Sequence, residues 1–332
     1  MQGEVAISAF TSDLNASTFE SDSLKLNVAP VVLQIFNPRL SSSFGAAGIG
    51  AMGFDGTNWG FRAISRVYSP GYRTLNYPFL QSDRFEWLFE PRFNLFKNKF
   101  SFTGSIGQRQ DNLLNNKLAT AYQTLGSANV TIQLTPKWSV SGNYANFGMR
   151  NTINNDTFRL QNVSDNLSVT SNYTFNLTKT THTISGTYTQ SQYDDFNVVT
   201  GALSDNNSKI YLLSYTLGFS SFPLTVSAVG TQFENRISAG TVAVKMATLM
   251  LAYPFGKNKD INVSLQGNIM RTTLLEFTPD ENITTTLNVG YIIAKKVNVG
   301  LNGTLNVFRY GTAKPGVNYR ENSLRMFAGY SF

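Results

Sequence analysis

The sequence predicts an all-β chain, an antiparallel up-and-down transmembrane β-barrel of about sixteen strands. Three observations carry this. Apolar and polar residues alternate with period two along most of the chain. No apolar run approaches the ~18 residues that a membrane-spanning helix needs. Turn signals sort into two kinds, very short and longer polar, that alternate along the chain.

Along the chain, segment 13–43 is the first long connection. Its centre, Leu24 to Phe36, is too apolar for a free loop and is a candidate lid or plug, or a surface for a partner. Short turns follow at Asp55–Asn58, Lys97–Lys99, Pro136–Lys137, Thr178–Thr180, Ser221–Pro223, Gly256–Lys259 and Lys295–Lys296. Between them lie longer polar connections near 69–81, 112–124, 150–163, 193–207, 236–240, 273–281 and 311–320. Seven short and eight long connections make sixteen strands with both ends on the short-turn side. The strands show the alternation directly. Leu167, Val169, Tyr173, Phe175 and Leu177 share one face, against Ser168, Thr170, Asn172, Thr174 and Asn176. Val297, Val299, Leu301, Leu305 and Val307 repeat the pattern, as do Phe85, Trp87, Phe89, Phe93 and Leu95. Prolines fall in the connections, as strand pairing demands, except Pro254, which ends a strand, and Pro91, inside a strand, where a bulge or a local shift of register is expected.

Composition narrows the class. Charged residues make up 14%, against roughly 25% in an average soluble domain, and the polar parity is Asn, Ser, Thr, Gly and Gln rather than Lys and Glu. That suits a watery interior with lipid outside. The 25 Phe and 15 Tyr exclude a disordered chain. Absence of cysteine removes disulfides and thiolate metal sites. The net charge of +7 suggests nucleic acid until the lysines are placed: eight of thirteen lie in the short turns, a rim rather than a groove. Nucleic acid is therefore not an expected partner. The N-terminus has neither a basic stretch nor an apolar one, so no signal peptide is expected, and the chain reads as mature or truncated.

The final stretch, Arg325-Met-Phe-Ala-Gly-Tyr-Ser-Phe332, resembles the C-terminal assembly signal of Gram-negative outer-membrane proteins, with Arg325, Tyr330 and Phe332 at the matching positions and Phe327 where glycine is usual. Residues 77–83 (Tyr-Pro-Phe-Leu-Gln-Ser-Asp), 95–99 (Leu-Phe-Lys-Asn-Lys) and 107–113 (Gly-Gln-Arg-Gln-Asp-Asn-Leu) resemble uncharacterised outer-membrane β-barrels of Bacteroidetes. The resemblance implies a bacterial outer-membrane location, short turns in the periplasm, long loops outside, and outer-membrane lipid and the barrel-assembly machinery as partners. A protein partner at the extracellular face or periplasmic rim is a further expectation. The resemblance brings no catalytic residue and no ligand.

Candidate site residues come from the polar parity. Arg62 and Arg66 lie on the third predicted strand, Arg84, Glu86, Glu90 and Arg92 on the fourth, and Arg109 on the fifth. Pairing puts Arg66 beside Arg84 or Glu86, Arg62 near Glu90, and Arg109 level with Glu86: a ladder alternating in sign. Lys245 and Arg325 are assigned to the same parity, which makes the interior mildly basic. The ladder is either an internal salt-bridge network filling the wall or a constriction that selects solutes. The only histidine, His182, falls on the apolar parity near a short turn, away from any nucleophile. Asp194-Asp195 and Asp280-Glu281 read as solvated loop charge, so neither metal nor other cofactor is expected. The expectation is a non-enzyme of one domain over 1–332: a passive, porin-like channel for small hydrophilic solutes, or else a non-conducting barrel serving as scaffold or subunit of a surface, secretion or uptake complex.

Overall fold

The computed structural model describes residues 1–18, 36–74, 80–256, 260–275, 277–293, 297–311, 316 and 318–330. Sixteen strands form one sheet whose spatial order equals their order in the chain. They are β1 (Gln2–Thr11), β2 (Ser42–Asp55), β3 (Trp59–Tyr68), β4 (Arg84–Leu95), β5 (Phe100–Asp111), β6 (Ala121–Thr135), β7 (Trp138–Asn151) and β8 (Gln161–Leu177). Then follow β9 (Thr180–Asp195), β10 (Asn206–Phe219), β11 (Thr225–Ile237), β12 (Gly240–Phe255), β13 (Ile261–Leu274), β14 (Asp280–Ile293), β15 (Val297–Arg309) and β16 (Tyr319–Tyr330). One four-residue helix, α1 (Gly201–Ser204), sits between β9 and β10.

The short and long connections alternate as expected through most of the chain, with two corrections. The connection between β11 and β12 was expected to be long, yet Ile237 pairs with Gly240 and leaves a two-residue turn, 238–239. Gly240, at φ +132°, adopts a backbone that side chains resist and so permits the tight reversal. The β13–β14 connection, 275–279, is also short, five residues. Pro91 lies inside β4 without a bulge. The β4–β5 pairs on either side of it, Phe89 with Ile106 and Arg92 with Thr103, keep one continuous register, and only the pairs at 90 and 91 are missing. Without an N–H, proline forfeits one ladder bond and the neighbouring bonds hold the register.

The chain divides into two compact units. The first comprises Met1–Asn129, Ala145–Ser164 and Asp195–Thr200, the second Val130–Tyr144, Asp165–Asp194 and Gly201–Phe332.

Within the first unit, the ladder from β1 to β5 has two unlike faces. Trp59, Phe61, Ala63 and Val67 of β3 share a face with Phe85, Trp87, Phe89 and Phe93 of β4 and with Phe102 and Ile106 of β5. These large side chains are substantially exposed, Trp87 at 40% and Ile106 at 54%. The opposite face carries Arg62, Arg66, Glu86, Glu90 and Arg109. Among the described residues only Ala47 and Ile64 are buried hydrophobics, so no apolar core separates the faces. A water-soluble fold of this length would bury many.

The second unit repeats the arrangement. Leu213, Ala228, Leu249, Leu265 and Leu287 belong to one parity, while Thr248, Asn268, Thr284 and Asn306 belong to the other. Thr and Asn side chains bond across strands on the polar face: Ser168 to Thr189 at 3.1 Å, Thr170 to Thr187 at 3.0 Å, and Asn302 to Asn288. On β15 the apolar parity runs unbroken from Val297 to Val307, with one glycine, Gly303. At ~3.3 Å per residue and a strand tilt of roughly 40°, it spans about 25 Å, the height of a bilayer's apolar band.

Candidate functional site

The charged ladder is built by register. Arg66 on β3 is opposite Glu86 on β4, and Glu86 is opposite Arg109 on β5. Arg66 donates Nη1–H to Oε1 of Glu86. Arg109 donates from Nη2 and Nε to Oε2 at 2.7 and 2.9 Å, and from Nη1 to Oε1 of Gln123 on β6 at 3.2 Å. Both carboxylate oxygens are thus used, and the Glu86 side chain is 7% exposed against 30% for each arginine. Of the two partners open to Arg66 in the sequence, the structure selects Glu86.

The other candidates take separate positions. Arg62 and Glu90 are register partners, yet among the described residues they form no ion pair. Arg84 is opposite Tyr68 and Asp111, with its guanidinium 4.8 Å from the centre of the Tyr68 ring. Arg92 reaches back to the β2–β3 turn, donating to Asp55 and, at 3.1 Å, to the carbonyl of Gly56. Arg325 is opposite Asn302, on the polar parity of the second unit.

Lys245 is a correction. It is opposite Gln232 and Arg271 and shares its parity with Ala247, Leu249 and Leu251, so it stands on the apolar face. The other parity of β12 carries Val244, Met246 and Met250 beside Thr248, and this mixture hides which face is which.

The described first part of the β3–β4 connection, 69–74, folds onto the polar face of the first unit. The Arg73 backbone N–H donates to Ser8 Oγ at 3.0 Å, and its guanidinium lies 4.8 Å from the centre of the Phe10 ring. Ser8 and Phe10 have the parity of Ala47, Tyr68 and Arg66. The crossing is close: a Cβ on Gly45 would lie 2.1 Å from the Tyr72 backbone N, and one on Gly71 would lie 2.1 Å from the Phe44 carbonyl O. Only glycine permits backbones that near. The base of segment 13–43 is described, with a bridge between Thr18 and Arg39 and the Arg39 guanidinium on the Ala16 carbonyl at 2.8 Å. Of the candidate lid 13–43, residues 19–35 lie outside the described residues, as do Phe332, 77–79 and the turn lysines 257, 259, 295 and 296.

Sequence reasoning missed a clasp beside the ladder. Asp83, buried at the end of 69–83, accepts the Leu113 N–H at 2.8 Å and meets Lys117 Nζ at 2.6 Å. Lys117 also reaches Asp111, at 3.5 Å, and the buried Asn112 accepts the Lys117 N–H at 2.9 Å and donates to Thr120 Oγ1 at 3.0 Å. Burial alone would raise the Asp83 carboxyl. The Lys117 ammonium and the backbone N–H groups of Leu113 and Asn112 outweigh it and hold the group below the usual carboxylate range. The hydrogen bond to Asp83 holds Lys117 above the usual lysine value, against its own desolvation. The 77–83 and 107–113 stretches that drew the family resemblance therefore end on one another, at Asp83 and Leu113. Period-two parity says nothing about loop residues, so alternation could not find them.

His182 Nδ1 is 2.7 Å from the Tyr215 hydroxyl, Nε2 is 2.8 Å from Thr180 Oγ1, and the ring stacks on Phe175 at 4.7 Å. Among the described residues no three His, Asp or Glu side chains gather into a metal site.

No protein-family model matches the chain, and neither does any curated protein. Among solved structures, the chain is similar to the apoprotein form of the FrpB iron transporter from Neisseria meningitidis, at 10% identity and TM-score 0.48, over 88% of this chain and 57% of FrpB. It is also similar to OccK1 (OpdK) of Pseudomonas aeruginosa, at 9% identity and TM-score 0.36, over 87% of this chain and 92% of that one. OccK9 (OpdG) of the same organism gives 9% identity and TM-score 0.36, over 98% and 96% of the two chains. The chain therefore spans little more than half the length of FrpB. Likenesses of this size say nothing about what this chain binds or moves.

Proposed function

We propose that residues 1–332 form one outer-membrane β-barrel domain acting as a passive, porin-like channel for small hydrophilic solutes in the bacterial outer membrane. The observation that carries this reading is the apolar parity of consecutive antiparallel strands, with Trp59, Trp87, Phe89 and Ile106 exposed on it, and about 25 Å tall on β15. Hydrocarbon demands that every backbone group find a partner within the protein, and an up-and-down sheet closed on itself provides this. The opposite parity, lined by Asn, Thr, Ser and the Arg/Glu ladder, then faces a water-filled path. Arg62, Arg66, Arg84, Glu86, Glu90, Arg92 and Arg109 form the constriction, with Arg325 on the same parity further along the chain. With Asp55 and Asp111, which face Arg92 and Arg84, the five arginines of the constriction exceed the carboxylates by one, so the path favours anions. Arg325 and Tyr330 on β16, with the terminal Phe332, serve as the signal to the barrel-assembly machinery. The channel needs no cofactor.

A specific observation favours a second reading. Glu86 and Ile64 are buried, and 69–74 crosses the polar face nearby, so this side of the path is partly filled. That supports a non-conducting barrel that serves as scaffold or subunit of a surface, secretion or uptake complex, with its protein partner at the extracellular face or the periplasmic rim. Planar-bilayer recording in a salt gradient separates the two. A reversal potential of anion sign supports the channel. Cation preference, or silence both in the intact chain and after deletion of residues 20–40, overturns it, and silence favours the scaffold.

A further inference from the structure

In the second unit the apolar face ends at a sharp line. On β12 the parity changes from Ala247 to Lys245, on β13 from Ile269 to Arg271, on β14 from Ile283 to Glu281, and on β15 from Val307 to Arg309. These four charged residues are register partners in one row, all towards the strand ends opposite the β12–β13 and β14–β15 connections. Glu281 joins two of the cations: Oε1 takes Arg271 Nε at 2.8 Å, and Oε2 lies 3.6 Å from Arg309 Nη1. The guanidinium groups are held in place yet stay open, with the Arg271 and Arg309 side chains 61% and 62% exposed. Lys245 is exposed beside Arg271. Three cations against one carboxylate leave the row two charges positive at neutral pH.

Just below the row the apolar face is hollow. Gly230, Ala247 and Gly267 lower the surface between Leu213, Leu249 and Ile269, and the depression encloses about 660 Å³. A Cβ at either Gly230 or Gly267 would meet nothing within 4 Å. A net positive row at the edge of an apolar face calls for an anion, and an open apolar hollow beside it calls for hydrocarbon. Only an amphiphile supplies both.

We propose that this face binds a phosphate-bearing lipid, its phosphate on Lys245, Arg271 and Arg309 and an acyl chain in the hollow over Gly230 and Gly267. Glu281 is the positioning residue that spaces the two arginines. The inference rests on the membrane reading above, and the test separates the two failures.

The full chain is reconstituted in phosphatidylcholine vesicles carrying a trace of spin-labelled phosphatidic acid or spin-labelled phosphatidylcholine. Electron paramagnetic resonance then reads the motionally restricted fraction of each. The expected result is a three- to tenfold preference for phosphatidic acid. Lys245→Gln with Arg309→Gln should bring it close to one, and Gly230→Leu, which fills the hollow and leaves the charges intact, should lower it. Heat-modifiable gel mobility checks the fold of each variant, and Lys97→Gln, on a short turn, is the charge control. Equal restriction of the two labels overturns the lipid site and leaves the membrane reading standing. Preference surviving in the double variant, or lost equally in Lys97→Gln, also overturns it. Inorganic phosphate at millimolar concentration should not displace the label; displacement would make this a free-anion site and refute the lipid. Failure of the chain to enter vesicles at all would instead sink the membrane reading.

Discussion

Glu86 is the carboxylate on which the polar face of the first unit turns, because it takes hydrogen bonds from two arginines at once. Glu86→Gln leaves Arg66 and Arg109 with a neutral acceptor. The anion-over-cation permeability ratio should rise severalfold in a reversal-potential measurement, while the loss of charge-assisted bonds should cost about 1.5–3 kcal/mol in urea unfolding. The Asp83–Lys117 clasp has a pH window set by its two shifts. The Asp83 carboxyl is depressed, so its contribution is complete above the ordinary carboxylate value and fades as pH falls through the lower folded value. Lys117 is raised, so its contribution is complete below the ordinary lysine value and fades as pH climbs through the higher folded one. The Leu113 amide resonance should therefore hold steady through neutrality and move at both extremes, and Asp83→Asn should abolish both movements. The Arg66 partnership was legible once strand parity was known, although parity left two partners open. Lys245 was misplaced, since Met246 and Met250 give β12 no clean polar side from which to count.

Among the elements, the 69–83 connection is the one most open to experiment. If Gly71→Ala moves it away from Phe44, as the 2.1 Å approach requires, unitary conductance should increase, and Arg73→Ala should do the same by releasing Phe10. Unchanged conductance in both would remove this loop from the path. Inside β4, Pro91→Val should restore the ladder bond missing towards β5 and stabilise the protein by about 0.5–1.5 kcal/mol in urea unfolding. Most connections could be located from the sequence because Gly, Asn, Lys and Pro punctuate the alternation. Their lengths were harder: 236–240 has the same polar composition as a long loop, and only pairing shows it as a two-residue turn. The apolar segment 24–36 drew attention as a lid, whereas the connection found against the polar face announces itself only through two glycines and an arginine.

For the whole molecule, the strand count and order were legible because period two is a direct imprint of a sheet with unlike faces. The near absence of buried hydrophobics among the described residues carries its own prediction. Stability should come from the ladder of backbone bonds and from the medium, so the chain run unheated in dodecyl sulfate should migrate faster than the boiled chain. A single mobility at both temperatures, with a monomer soluble in the absence of detergent, would contradict the membrane reading.

The spatial order of the strands, identical to their order along the chain, bears on how the molecule assembles. Each pairing step from β1 through β16 joins segments only one connection apart, so loop-closure entropy stays small until the step that closes the sheet on itself. Folding can then advance as a zipper, hairpin by hairpin, and leave the one distant pairing, closure of the sheet, to the end. A nick in one short connection would leave complete hairpins on both sides. Two such fragments refolded together in lipid should recombine far more readily than fragments cut in mid-strand.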